Sequence, residues 1–245
     1  LYELAWAYLG LKEGARSTDM FSRLVKEYPK SAFIADASFR LGESRYEQEQ
    51  YDVAIEQYEK ALQQKPAGEL LENVLHKLGW AHYQDGKFEL AHQRFTDQLK
   101  QLPEGRLVND GTFMQAESLF KLKKYEEVFP VYEKLLKLEL SSPQFQVLTR
   151  LHAGQAAGQL KRWQESLAIL ETIPKEFSES SYLPETHYEM GWAQHQLKKY
   201  EQALESYEEA ATESRTAVGA RARVPICEIP RKRHGTTDQR DRRRA

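Results

Sequence analysis

Apolar and small residues along the chain return at steps of three and four, with short polar breaks between the runs. This is the period of an amphipathic helix on both sides of each break, so the pattern predicts helix–turn–helix units and no strands. The breaks are themselves periodic. Tyr51, Phe88, Tyr125, Trp163 and Tyr200 each open a segment of the form aromatic-x-x-small-x-x-x-(aromatic or Leu), at spacings of 37, 37, 38 and 37 residues. Ten residues ahead of each lies a second landmark, Leu41, Leu78, Gln115, Ala153 or Met190, and Leu4 begins that series. Six units therefore share one register, with expected bounds 1–29, 31–66, 68–103, 105–140, 142–178 and 180–215, and the start of a seventh at 216–223. Two helices cannot cover their own apolar face, so each unit must stack on the next, which gives an all-α solenoid.

The fullest unit reads Leu41-Gly42, Tyr46, Tyr51, Ala54, Tyr58, Ala61, Pro66, and the following one repeats it as Leu78-Gly79, Tyr83, Gly86, Phe88, Ala91, Phe95, Pro103. In the second unit the first helix is expected to follow a capping Ser31 and end near Gln48. Its partner runs from about Tyr51 to Lys65 and is stopped by Pro66. Ser142-Pro143 opens the fifth unit as a cap followed by a proline at the first helical position. Gly42, Gly79, Gly191, Ala54 and Ala91 leave room for close helix approach, and Tyr58, Phe95, Tyr132, Leu170 and Tyr207 fill the space beside them. Pro130, inside a second helix, is expected to kink it.

This pattern resembles the tetratricopeptide repeat family over residues 1–223, with each unit about three residues longer than the family's usual ~34. The resemblance implies a right-handed solenoid whose first helices line a concave groove. A narrower likeness lies in Phe21-x-x-Leu24-Val25-Lys26-Glu27-Tyr28-Pro29-Lys30-Ser31, echoed by Lys175-Glu176-Phe177-Ser178-Glu179-Ser180. These junctions are similar to those of bacterial cell-envelope repeat proteins of the Tol-Pal coordination and outer-membrane assembly lipoprotein type. A periplasmic or envelope location and a cytoplasmic one both stay open.

Carried onto this chain, the groove slots are Phe39, Glu43 and Tyr46 in the second unit, and His76, Trp80 and Tyr83 in the third. Phe113 and Glu117 follow in the fourth, and Tyr188 and Trp192 in the sixth. Aromatic anchors with a minority of carboxylates suit a protein or peptide ligand. Tyr46, Tyr83 and Phe120, near helix ends, have packing against a neighbour as the competing reading. Members of the family that clamp chaperone C-termini carry Lys, Asn and Arg where this chain has Phe39, Glu43, His76, Trp80, Phe113 and Glu117, which argues against that ligand.

Composition narrows the function class. Four Trp, 13 Tyr and 10 Phe are too many for a disordered chain, although 29% of residues are charged. No apolar run is long enough to span a bilayer. A net charge of −2 argues against a general polyanion binder. Residues 224–245 hold seven Lys or Arg against three Asp or Glu, together with Pro225 and Pro230, and helical periodicity stops there. A basic arm for nucleic acid and a tail without fold, or an out-of-frame end, are the alternatives.

No phosphate-cradling Gly-rich loop, G-x-S-x-G elbow or H-E-x-x-H motif occurs. The seven histidines form no i, i+4 pair, so no metal site and no cofactor is expected; His187 and His195 alone could share a face. The lone Cys227 excludes a disulfide framework. The expected function is a non-enzymatic scaffold. Because Leu1 starts inside a helical pattern without a cap, the alternative is an accessory repeat region of a larger enzyme or regulator, and self-association through uncapped ends is a further expectation.

Overall fold

The computed structural model describes residues 1–219, and these contain helices and turns with no strand. Six helix pairs follow one another: α1 (Tyr2–Gly10) with α2 (Gly14–Glu27), α3 (Ile34–Glu47) with α4 (Tyr51–Gln63), and α5 (Gly68–Gln84) with α6 (Phe88–Gln101). They continue as α7 (Val108–Lys121) with α8 (Tyr125–Leu135), α9 (Pro143–Gln159) with α10 (Trp163–Leu170) and its short continuation α11 (Thr172–Glu176), and α12 (Leu183–Gln196) with α13 (Tyr200–Gly219). Thr216–Gly219 thus prolong α13, and the remainder of the expected seventh unit and the basic tail lie outside the described residues.

Acidic residues stand in the first turn of most helices, such as Asp36, Asp52, Glu89, Asp110 and Glu201, where they favour the positive end of the helix dipole. Within every unit the turn closes in the same way. The residue two before the second helix takes a left-handed conformation: Lys12, Glu49, Gly86, Lys123, Lys161 and Lys198, with φ between 58° and 74°. The next amide then reaches back to the first helix, as in Gln50 N to Arg45 O at 3.0 Å and Arg162 N to Ala157 O at 2.9 Å, the 6→1 bond of a Schellman motif. Glycine fills this slot once, at Gly86. Lys161→Gly should therefore raise stability by about 0.5–1 kcal/mol, the left-handed penalty less glycine's entropy cost, read as a higher urea midpoint.

The core forms where large residues of second helices enter the small slots of first helices. A methyl placed on Gly42 would lie 2.5 Å from Tyr58 Cε1, and on Gly191 2.7 Å from Tyr207 Cε1. Tyr58, Phe95, Tyr132 and Leu170 are fully buried there. Gln115, which departs from the apolar landmark, makes a polar tie instead, donating from Nε2 to Thr96 Oγ1 across the seam at 2.8 Å.

Prolines and caps differ in part from expectation. Ser142 caps α9, its Oγ accepting from Phe145 N at 3.2 Å, with Pro143 at the first helical position. Ser31 does not cap α3: its Oγ accepts from Phe33 N at 3.3 Å, one turn ahead of the helix. Two successive turns, Ser31 N to Tyr28 O and Ile34 N to Ser31 O, occupy that junction and delay the start to Ile34. α8 passes through Pro130 and ends at Leu135, whereas Pro174, which leaves the Leu170 carbonyl without its helical donor, accompanies a break at Glu171.

The junctions alternate. Residues 28–34, 102–108 and 177–183 form the same double turn, each leading into a 14-residue first helix. The other two junctions lead into α5 and α9, which have 17 residues. The extra turn reaches the next double turn: Glu69 on α5 pairs with Arg106 at 3.4 Å, and Gln144 on α9 donates from Nε2 to the Tyr182 hydroxyl at 3.4 Å. The three added residues per unit thus lengthen helices in alternate units and connections in the others.

Candidate functional site: the face of the first helices

Successive first helices approach one another, α3 to α5, α5 to α7, α7 to α9 and α9 to α12, while successive second helices make no comparable approach. The array therefore curves with its first helices on the inside, and their outward side chains form the concave face.

Over the first three units this face is a run of rings and paired charges. Tyr2 donates from its hydroxyl to Asp36 Oδ2 at 2.7 Å. The Arg40 guanidinium lies 4.8 Å from the Trp6 ring centre and binds Glu43 at 2.7 Å. Lys77 then stands 3.8 Å from Glu43 and over the Tyr46 ring at 5.5 Å. Glu43 is thus held between two cations. Arg40 and Lys77, absent from the slots read off the sequence, belong to the site; the signal for Arg40 was its i+4 spacing from Asp36 and i−3 spacing from Glu43.

In the third unit Trp80 donates from Nε1 to His76 Nε2 at 3.1 Å, and the other His76 nitrogen meets Gln98 Oε1 at 3.1 Å. Trp80 donation assigns the His76 proton to Nδ1, so the ring is neutral, and burial pushes its pKa below the usual histidine value. His76 is itself buried and acts as a bracket that fixes the indole edge, leaving the Trp80 ring partly exposed. Tyr83 packs edge-on against Phe88 at 5.2 Å and Tyr46 against Tyr51 at 5.3 Å, joining the two helices of their own units, while both keep part of their surface accessible. Phe120 does the same with Tyr125.

Phe39 and Phe113 are buried. Phe39 lies in the cluster with Val74 and Leu78, and Phe113 is stacked on Phe145 at 4.4 Å, so both fill seams and offer no surface to a ligand. Glu117 is buried too. Its Oε1 accepts from the Tyr132 hydroxyl at 2.8 Å and meets His152 Nδ1 at 2.7 Å, a polar knot across the fourth and fifth units. Burial and the Glu117 charge push the Tyr132 pKa well up, so the phenol stays protonated as donor.

At the far end the balance of charge changes. Gln155 donates from Nε2 to both Glu185 at 2.9 Å and Glu189 at 3.1 Å, and among the described residues no Lys or Arg ion-pairs with either carboxylate. Burial, with Glu185 nearby, raises the Glu189 pKa against the opposing Gln155 bond. Tyr188 and Trp192 are exposed beside them, with Trp192 stacked on His195 at 6.3 Å. His187 faces the other way, pairing with Glu213 at 2.9 Å. Among the described residues no group of three or more His, Cys, Asp or Glu could hold a metal ion, and no helix is long and apolar enough to cross a membrane.

A curved stack of helix pairs with a ring-and-charge inner face is the architecture of an interaction scaffold. Tetratricopeptide repeat profiles match residues 1–31, 33–102 and 184–216, together more than half of the chain, which belongs to the tetratricopeptide repeat family. No curated protein matches it. Among solved structures, YrrB, described as a repeat protein with an unusual peptide-binding site, is 16% identical with a TM-score of 0.64, covering 83% of this chain and 98% of its own. MamA from Desulfovibrio magneticus RS-1 is 14% identical with a TM-score of 0.63, covering 74% and 96%. A tetratricopeptide repeat protein from Parabacteroides merdae is 15% identical with a TM-score of 0.64, covering 86% and 77%. At these identities the likeness shows the fold.

Proposed function

We propose that this chain is a non-enzymatic scaffold that binds an extended or helical peptide segment of a protein along its concave face. The carrying observation is the continuous accessible run Trp6–Arg40–Glu43–Lys77–Tyr46 beside Trp80, built from three units onto one surface. Rings set between charges of both signs suit a ligand with apolar anchors and mixed charge. The accessible groove residues are then Glu43, Tyr46, Trp80, Tyr83, Tyr188 and Trp192, with His76 and Glu117 as supports from beneath. The peptide-binding description of YrrB agrees with this use of the fold. The junction motif around Tyr28-Pro29 supports placing the scaffold in a bacterial envelope assembly.

Selection of a displayed peptide library on the full chain tests the reading. Trp80→Ala should weaken an enriched peptide by about 2 kcal/mol, and Lys77→Glu should change which peptide charges are enriched. Glu56→Lys, on an exposed position of a second helix, should leave both unchanged. Because Trp80 also packs partly on the core, helical circular dichroism is followed in parallel; Lys77, whose ammonium meets Glu43 and the Tyr46 ring on the groove face, separates binding from folding. Absence of any enriched peptide, or equal binding by all three variants, refutes the groove.

A further inference from the structure

One slot of the first helices recurs along the concave face as Trp6, Glu43, Trp80, Glu117, Gln155 and Trp192. Its side chain reaches the following first helix: Trp6 meets Arg40 at 4.8 Å, Glu43 meets Lys77 at 3.8 Å, Glu117 meets His152 at 2.7 Å and Gln155 meets Glu189 at 3.1 Å. Over the first four units the slot thus alternates between an indole and a carboxylate. Trp80 has a unit on either side and is still partly exposed, so the slot opens on the groove by its own position in the helix. Trp6, in the same slot, is half-buried.

The two carboxylates differ. Glu117 is buried and held by Tyr132 and His152. Glu43 lies in the groove between Arg40 at 2.7 Å and Lys77 at 3.8 Å. Arg40 has Asp36 as a second partner at 3.5 Å, whereas Lys77 makes only the long contact to Glu43 among the described carboxylates. The Lys77 side chain is also the more exposed, at 39% against 29% for Arg40. Lys77 is therefore the cation between the two indoles that a ligand carboxylate reaches with the least rearrangement.

We infer that the ligand is an extended segment with two apolar side chains about six residues apart, seated on Trp6 and Trp80, and an acidic side chain between them on Lys77. This rests on the peptide-binding reading above and adds its spacing and charge. First helices two units apart are separated by about 20 Å, at ~10 Å per packed helix. An extended chain covers that distance in about six residues, at ~3.3 Å each. An even spacing sets both anchors on one face of the strand, together with the second and fourth residues after the first anchor. An acid at either place faces Lys77, whereas the residues between them point away from the groove. A helical ligand needs about 14 residues for the same span, at ~1.5 Å each, so anchor spacing separates the two forms.

Selection on the full chain from displayed random peptides long enough to hold either spacing tests the inference. Enriched peptides should share an apolar pair six apart, with Asp or Glu at the second or fourth place after the first anchor. In one such peptide, replacing either anchor with alanine should weaken binding about 30-fold. One replacement should lose most of its effect against Trp6→Ala and the other against Trp80→Ala, because each variant has already removed that contact. Replacing the peptide's acid with lysine should weaken binding to the parent and restore it to Lys77→Glu, a rescue that misfolding of a variant does not produce. Apolar pairs about 14 apart, or no preferred spacing, overturn the inference and leave the groove as a binding site. A charge swap that restores nothing overturns the assignment to Lys77. Absence of any enriched peptide refutes the groove itself, and the inference with it.

Discussion

Gly79→Ala should destabilise the third unit by about 2 kcal/mol. Helix propensity alone predicts the opposite sign, a gain of about 1 kcal/mol for replacing glycine inside a helix. Packing decides: an added methyl would lie 2.7 Å from Phe95 Cζ and 2.8 Å from Cε1, and Phe95 is fully buried, so the ring has nowhere to go without moving α6 from α5. In the fourth unit a buried Ala116 sits in the corresponding slot in the same fold as a buried Tyr132, so the alanine is compatible with the unit once the pair is spaced for it. Amide exchange resolves the loss, which should concentrate in α5 and α6, since stability in a repeat array is a sum of local and nearest-neighbour terms. An increase in the urea midpoint would show that the ring yields and that close approach does not constrain the pair.

His82→Leu should remove much of the chain's loss of stability in acid. His82 is 3% exposed, neither ring nitrogen has a hydrogen-bond partner, and burial with the nearby Arg94 charge pushes its pKa down to about 4. The unfolded chain takes up this proton near the ordinary histidine value of about 6.5. Below that pH the unfolded state binds more protons than the folded one, so stability is complete above about 6.5 and falls as the pH drops through about 4. The full difference corresponds to roughly 3 kcal/mol. A leucine of similar size leaves no buried donor or acceptor unpaired, so stability at neutral pH should hold or rise. His76, lowered in the same direction, keeps a residual slope. Urea midpoints of parent and variant at neutral pH and near pH 4 provide the comparison; parallel acid limbs would assign the sensitivity elsewhere.

The repeat register carried most of the fold, because the helical period and the small–large pairs recur wherever a seam must be packed. The left-handed turns at Lys12, Lys123, Lys161 and Lys198 were not legible, since lysine does not advertise that conformation as glycine does at Gly86. Pro174 and Pro130 look alike in sequence, yet one accompanies a break and the other lies inside a continuous helix. The site was legible only by slot. Phe39 and Phe113 occupy one slot and are buried because a following unit covers them, a relation between units that a single helix pattern does not contain. The pairing of Glu43 with Lys77 and of Glu117 with His152 likewise joins residues more than thirty positions apart. Slots on one helix reveal neither partner.

The alternation of 17- and 14-residue first helices makes two successive units, rather than one, the translational element of the array. Excising residues 68–142 would bring the start of α9 to the place of α5, a long helix for a long helix, and leave a double turn to follow. Excising a single unit would set a long helix's extra turn against the wrong kind of junction, removing supports such as the Glu69 pair with Arg106. Gene-level duplication or loss that preserves the fold is therefore expected in even numbers of units, and a shortened array made that way would keep its curvature while losing reach.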